Sequence, residues 1–385
     1  MKNSRKIWIF AGESSGDMYG AQLGDELRRI ASSRGESLEL SGMGGKAMIA
    51  AGIPVKVDST ELGVMGVVEV AKLLFKFIAI YIKLVKAAKQ ERPDTVVLID
   101  YPGFNLLYAL AMYFLKIKVV WYIAPHLWIW GKWRLPVLAK ICTKVLVIFP
   151  FEVEVFSKTA LKATFTGHPL IDIMAEKKDP SILRDPDLVL LLPGSRAGEI
   201  SRMLPVMLES LTELKERNPQ LKFRLSAPRE KIAAQCRSII DTFRRKRPLP
   251  EIEISVGDTN YCQQHAGTGI AACGTVTVES AIMGLPLLVG YRLGFINFLA
   301  MLPTVRPFRG FITMTNIIDN SPVCPEFIQY DFKKSNIVPA LESILPGGPR
   351  RDSTLEGMKR VTQMLCEGNN GRSAVARAAE EIYSA

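Results

Sequence analysis

A chain of 385 residues is longer than one hydrophobic core normally serves, so two domains are the default expectation. With 48% hydrophobic and 23% charged residues and no low-complexity run, it reads as a folding sequence and not a disordered one. A net charge of +11 and a pI near 9.3 favour an anionic partner: a nucleotide, a nucleic acid or a phospholipid surface. The lack of an RNA-binding signature, zinc spacing or basic arm argues against nucleic acid.

The chain opens on an apolar run, Lys6 to Phe10, too short for a signal peptide and ending in a glycine-rich turn, so the protein is expected to stay in the cytoplasm. In that turn, Ala11-Gly12-Glu13-Ser14-Ser15-Gly16-Asp17, small residues let the backbone approach a ligand, and the helix expected around Gly20 to Arg29 starts with free amides. It is neither a Walker loop nor a dinucleotide fingerprint, and turn geometry alone can require its glycines.

Val70 to Gln90, VAKLLFKFIAIYIKLVKAAKQ, reads as a helix apolar over most of its circumference. At about 100° per residue, Lys72, Lys76, Lys83 and Lys86 share roughly an 80° arc, and no acid lies between Glu69 and Glu91. Such a surface suits an anionic bilayer, met from the cytoplasmic side. The lysines interrupt it too often for a transmembrane span, and burial against a sheet is the competing reading.

The strand Thr95 to Ile99 runs into Asp100 and Tyr101-Pro102-Gly103-Phe104-Asn105. A carboxylate at a strand end is well placed to remove a proton from a substrate hydroxyl, and a turn or cap acid is the plainer alternative. Strands follow at Val119 to Ile123 and Val145 to Ile148. Trp121, Trp128, Trp130 and Trp133 crowd near Arg134, suiting either a core or a headgroup boundary. Gly167 to Asp187, proline-broken and polar, reads as a linker, with His168 bracing the hinge. Asp185-Pro186-Asp187 precedes its strand, so it is read as linker and no catalytic metal is expected. His126, His168 and His265 are dispersed, and the six cysteines read as reduced thiols.

A second series of strands follows: Leu188 to Leu192, Leu221 to Leu225, Glu251 to Ser255, Gly269 to Ala272 and Pro286 to Gly290. Two Rossmann-like α/β domains, 1–168 and 187–352, with parallel sheets facing an interdomain cleft are the economical architecture, and ligands belong at the carboxyl ends of their strands. There lie Pro193-Gly194-Ser195-Arg196, a flexible turn with an arginine before a helix, and Gly274-Thr275-Val276-Thr277-Val278-Glu279. In the latter the turn can take a phosphate and Glu279 can accept from ribose hydroxyls. Either could be ordinary turn chemistry; together they point to a nucleotide diphosphate.

Many ordered pieces, AGESSGD, GMGG (42–45), LGVMGVVEV (62–70), LIDYPGFN (98–105), Trp128, Trp130 and Arg134, FPFE (149–152), TGHPL (166–170), LLPGSRAGEI (191–200), GTVTVE (274–279), TNI (315–317) and PEFIQ (325–329), are those of lipid-A-disaccharide synthases, which the chain resembles over nearly its whole length. The resemblance implies a GT-B glycosyltransferase, inverting and with neither metal nor cofactor. It would join UDP-2,3-diacylglucosamine to 2,3-diacylglucosamine 1-phosphate, as a homodimer peripheral to the inner membrane. It places the base on Asp100 and a UDP-binding arginine on Arg196. Gly274, Thr275, Glu279, Asn316, Glu326 and Gln329 would join Arg196 in the donor site, while Gly12, Glu13, Ser15, Gly16 and Asp17 face the cleft from the first domain. The segment 353–385 is expected to return to that domain or to a partner subunit. The surface expected to meet membrane or acyl chains comprises Val64, Met65, Val67, Val68, Leu73, Leu74, Phe75, Phe77 and Ile78. Cys273, where serine is usual, and Met314 and Thr315 depart from the pattern. A UDP-sugar 2-epimerase and a non-catalytic membrane-binding protein are the rival readings.

Overall fold

The computed structural model describes residues 4–59, 70–125, 134–294, 310–368 and 371–385, without the side chains of residues 14 and 70–74. The expectations placed on Val64, Met65, Val67, Val68, His126, Trp128, Trp130 and Trp133, and on the side chains of Leu73 and Leu74, lie outside the described residues. The chain divides into two compact units, Met1–Asp172 with Leu365–Ala385, and Ile173–Met364. The return to the first unit therefore falls at Leu365, later than residue 353.

The first unit is built on β1 (Ser4–Ala11), β2 (Ser37–Gly44), β3 (Val55–Asp58), β4 (Thr95–Ile99), β5 (Lys118–Tyr122), β6 (Lys144–Val147) and β7 (Ala163–Phe165). They form one sheet in the order β3-β2-β1-β4-β5-β6-β7, every pairing parallel. Parallel strands need covering helices on both faces, which is why β4 is buried along its whole length and apolar after Thr95. The second unit repeats the plan with β8 (Asp185–Leu192), β9 (Lys222–Ala227), β10 (Ile252–Val256), β11 (Ala266–Ala272), β12 (Leu287–Tyr291) and β13 (Glu326–Ile328). Their order is β10-β9-β8-β11-β12-β13, again all parallel. In each sheet the winding reverses beside its first strand, between β1 and β4 and between β8 and β11. In open α/β sheets this is where ligands bind.

The division between the units, at Asp172 and Ile173, falls inside the expected linker, but helix and strand fill much of that stretch. Residues Pro169–Lys177 form a helix. Asp185 and Asp187 belong to β8, where the Asp185 carboxylate accepts from the Asp187 amide at 3.0 Å and pairs with Lys222 at 3.0 Å. Proline misleads because it sits where it costs nothing: Pro169 opens its helix and Pro186 lies near the start of β8. His168 is buried in the first unit, its ring edge-on to Phe149 at 5.2 Å and its Nδ1 accepting from the Leu170 amide at 3.1 Å. The C-terminal helix Ala374–Tyr383 packs on helix Ser14–Ser33. Lys144 ties it down through Glu381 at 2.9 Å, as does Tyr383, whose hydroxyl donates to Glu36 at 2.6 Å.

The helix Val70–Glu91 buries Ile80, Leu84 and Ala88 at four-residue spacing against the core of the first sheet. Phe77, expected at the membrane, instead packs against that core, its ring 6.1 Å from Phe104. The opposite side leaves Phe75 at 75%, Ile78 at 46% and Ile82 at 45% exposure. The adjoining helix Pro102–Phe114 adds exposed Leu107, Leu110 and Phe114, and Tyr81 joins the two helices by donating to the Leu107 carbonyl at 3.3 Å. Trp121 lies in the core on β5. No helix of the described residues is long and apolar enough to cross a membrane.

Candidate active site

At the first switch point the chain leaves β4 through two consecutive left-handed residues, Asp100 (φ 44°) and Tyr101 (φ 49°), before Pro102 opens the next helix. Left-handed non-glycine residues are held there only by their surroundings. The holder is Asn105, fully buried: its Nδ2 donates to the Asp100 carbonyl at 2.7 Å and to the Ile99 carbonyl at 3.3 Å. The Asp100 amide donates to the Tyr122 carbonyl at 3.1 Å. Gly12, at the end of β1, lies under the Tyr101 ring, where an added Cβ would stand 2.3 Å from ring carbons. Burial pushes the Asp100 carboxyl up to about 6, and the nearby charge of Glu13 adds to the rise, against a lowering hydrogen bond from the Tyr101 backbone. A carboxylate so tuned can take a proton near neutral pH.

The glycine-rich turn does two jobs. Glu13 and Ser15 are exposed, the charge of Glu13 acting on Asp100 and Tyr101, whereas Gly16 is buried. Asp17, expected to face a ligand, is buried and points the other way. Its carboxylate accepts from the amides of Gly45, Ala47 and Met48 at 2.6, 2.8 and 3.1 Å, capping helix Lys46–Ala50. An acid after a glycine-rich turn carries no mark telling a ligand from a neighbouring helix.

At the second switch point a cavity of about 430 Å³ brings together the two turns read from the sequence. Gly194, Ser195 and Glu199 form one side and Cys273, Gly274, Thr275, Val276 and Glu279 another, closed by Pro228, Thr259, Asn260 and Lys177. Gly194 adopts φ +117°, and a Cβ there would meet the Glu199 carboxylate at 2.1 Å, so only glycine fits. Glu199 accepts from the Ser195 amide at 3.2 Å, which shows that this turn accommodates an oxyanion. Gly274 has open space over its backbone. Burial raises the Glu279 carboxyl, opposed by the charge of Lys177 and a hydrogen bond from Gln263. Arg196 is exposed on the first turn, close enough for its charge to act on Tyr291, but it is not part of the wall.

Asn316, Glu326 and Gln329 lie elsewhere. Asn316 is fully buried, donating to the Cys324 carbonyl at 2.9 Å and to Glu326 at 3.0 Å and accepting from the Cys324 amide at 2.7 Å. Glu326 also accepts from the amides of Ile312 and Thr313, and the Cys273 thiol donates to the Ile312 carbonyl at 3.3 Å. The pair thus braces a segment behind the cavity wall instead of lining it. Gln329 accepts from the Leu293 amide at 2.5 Å, fixing the chain beyond β12. Sequence reasoning misses Lys177, Thr259 and Asn260 as wall residues: the first reads as linker charge, and no motif singles out the others.

Two doubly wound parallel sheets, each with its candidate groups at the switch point, define the GT-B class of nucleotide-sugar enzymes. The fold is shared with the S. aureus MnaA–UDP co-structure (TM-score 0.65, 14% identity, covering 98% of this chain and 95% of that one). It is shared too with the UDP-GlcNAc 2-epimerase of Neisseria meningitidis bound to UDP-GlcNAc (TM-score 0.62, 13% identity, 99% of each chain). The Lipid-A-disaccharide synthetase family matches residues 7–379. Proteins named lipid-A-disaccharide synthase from Koribacter versatilis (32% identical, 98% of each chain covered) and Coxiella burnetii (30% identical, 99% of this chain and 100% of that one) are similar end to end. The chain belongs to the lipid-A-disaccharide synthetase family and is a glycosyltransferase.

Proposed function

We propose that the protein condenses UDP-2,3-diacylglucosamine with 2,3-diacylglucosamine 1-phosphate, releasing UDP and forming the β-1,6-linked disaccharide with inversion. The observation that carries the site assignment is the cavity uniting the Gly194–Ser195 and Gly274–Thr275 turns with Glu279, a combination suited to a diphosphate and a ribose. Asp100 takes the proton of the acceptor's 6-hydroxyl as that oxygen attacks the anomeric carbon. Arg196 and the Gly274 turn stabilise the departing UDP. Burial, with the charge of Glu13 adding to it, keeps the base from ionising too early in acid. Asn316, Glu326 and Gln329 serve the donor site by bracing its frame.

The experiment is UDP release from the acylated donor with and without the acylated glucosamine 1-phosphate. Release that needs the acceptor supports the transferase. An epimeric product formed without acceptor would establish the epimerase reading, and no turnover with either would leave a binding protein.

The same reading puts the first unit on the cytoplasmic face of the inner membrane. Its support is the apolar surface of Phe75, Ile78, Ile82, Leu107, Leu110 and Phe114, on two helices that have no acid between Glu69 and Glu91 or within Pro102–Phe114. Replacing Phe75, Ile78, Leu107 and Phe114 by serine should release the protein from anionic vesicles; unchanged co-sedimentation would rule this surface out. A homodimer belongs to the same proposal and is checked by sedimentation.

A further inference from the structure

We propose that Lys177 is a phosphate-binding residue of the nucleotide cavity, supplying the positive charge that its wall otherwise lacks. The inference rests on the UDP-sugar reading above. Among the described residues lining the cavity, the charged ones are Lys177, Glu199 and Glu279. Without Lys177 the wall would offer a nucleoside diphosphate two carboxylates and no cation. Like charges facing across a partly desolvated space repel strongly, and Lys177 offsets that repulsion from the wall itself, alongside the exposed Arg196 of the first turn.

The lysine is delivered by a fixed backbone, not a loose connector. It is the last residue of helix Pro169–Lys177. The buried side chain of Gln264 grips the chain on either side of the turn: its Nε2 donates to the Lys177 carbonyl at 3.1 Å, and its Oε1 accepts from the Asp179 amide at 2.8 Å. The same Nε2 donates to the carbonyl of Asn260, itself a wall residue, at 3.2 Å. Ser181 closes the turn, its amide and hydroxyl donating to Asp179 at 2.9 and 2.6 Å. Lys177 is thus fastened to the helix Thr259–His265 that forms another part of the wall. Its exposed side chain is a four-carbon stem able to swing between the Glu279 carboxylate and an arriving phosphate. Lys177 and Glu279 line the same cavity, and the charge of Lys177 acts on the Glu279 carboxyl.

The test compares binding of UDP and of uridine, which lacks phosphates, to the full chain by calorimetry at low salt. Lys177→Gln should weaken UDP about tenfold to a hundredfold, the range of a charged hydrogen bond, leave uridine unchanged and flatten the salt dependence; Lys177→Arg should restore most of the loss. UDP affinity in Lys177→Gln within about twofold of the parent would overturn the assignment. So would parallel weakening of UDP and uridine, which would mean that Lys177 acts through Glu279 or the fold. A parent chain that binds neither would remove the UDP-sugar reading itself.

Discussion

At the switch point of the first sheet, burial raises the proton affinity of Asp100, with the charge of Glu13 adding to it, on a left-handed stretch of backbone; at that of the second, burial raises Glu279 too, but glycine turns open the backbone to a cavity. The topology is the same in both, since each sheet reverses its winding beside its first strand. The difference lies in the residues by which the chain leaves the strand. Asp-Tyr-Pro leaves its strand through two left-handed residues that Asn105 holds in place, whereas Pro-Gly-Ser and Cys-Gly-Thr leave through glycines. One fold plan thus sets a buried carboxylate at the switch point of one unit and a glycine-lined cavity at that of the other, which in the proposed reaction serve as proton acceptor and anion receiver.

Removing the acceptor function should separate them most sharply. Asp100→Asn keeps the shape and loses the base, so turnover should fall by about 10² to 10⁴ while UDP affinity is unchanged, read by steady-state kinetics and calorimetry. In the parent protein the acid limb of kcat/KM should follow Asp100: the rate rises with pH through about 6 as the carboxyl ionises. A limb near the ordinary 3.8 would mean that Asp100 does not titrate in the reaction.

Gly12→Ala probes the presentation of the base. A Cβ at 2.3 Å from the Tyr101 ring must displace it and the left-handed pair with it, and a misplacement near 1 Å can cost about a hundredfold. Turnover should fall by about tenfold to a hundredfold with UDP binding intact; a matching loss of UDP binding would show the unit to be globally disturbed. Arg196→Ala should do the reverse, weakening UDP by about tenfold, as expected for one exposed charged contact, and slowing turnover less at saturating donor.

The strand ends are legible in the sequence because buried parallel strands are apolar runs stopped by turn residues. Thr95–Ile99 is bounded in the structure as its sequence reads, and Asp100 comes directly after it. Strands with weaker signals escape: β2 mixes Ser, Glu and Gly, and β3 and β13 are four and three residues long. Side-chain direction is the other gap. Asp17 and Asn316 have the residue types of a ligand site but are consumed by backbone amides and carbonyls of their own chain. Lys177 is concealed by its polar, proline-bearing surroundings. For Asp17 and Lys177 the deciding partner lies far away in the chain, Gly45 for Asp17 and Gln264 for the Lys177 turn, while Asn316 is claimed by Cys324 eight residues on. Local pattern cannot encode which way the side chain faces.

The smallest predicted effect tests whether the first switch point is held at a cost to stability. The folded-state value of Asp100, about 6, lies above the ordinary 3.8, so the folded protein binds its proton more tightly than the unfolded chain does. For a raised carboxyl the favourable contribution is complete below about 3.8 and is lost as pH rises through about 6, leaving a buried charge that opposes folding at pH 8. Asn at this position is neutral at every pH. Asp100→Asn should therefore melt a few degrees above the parent at pH 8, a gain of order 1 kcal/mol, with the difference shrinking as the pH falls below 6. A variant that melts lower at pH 8 would mean that the carboxylate is stabilised where it stands, and Asp100 would then lose the raised proton affinity on which its role as a base rests.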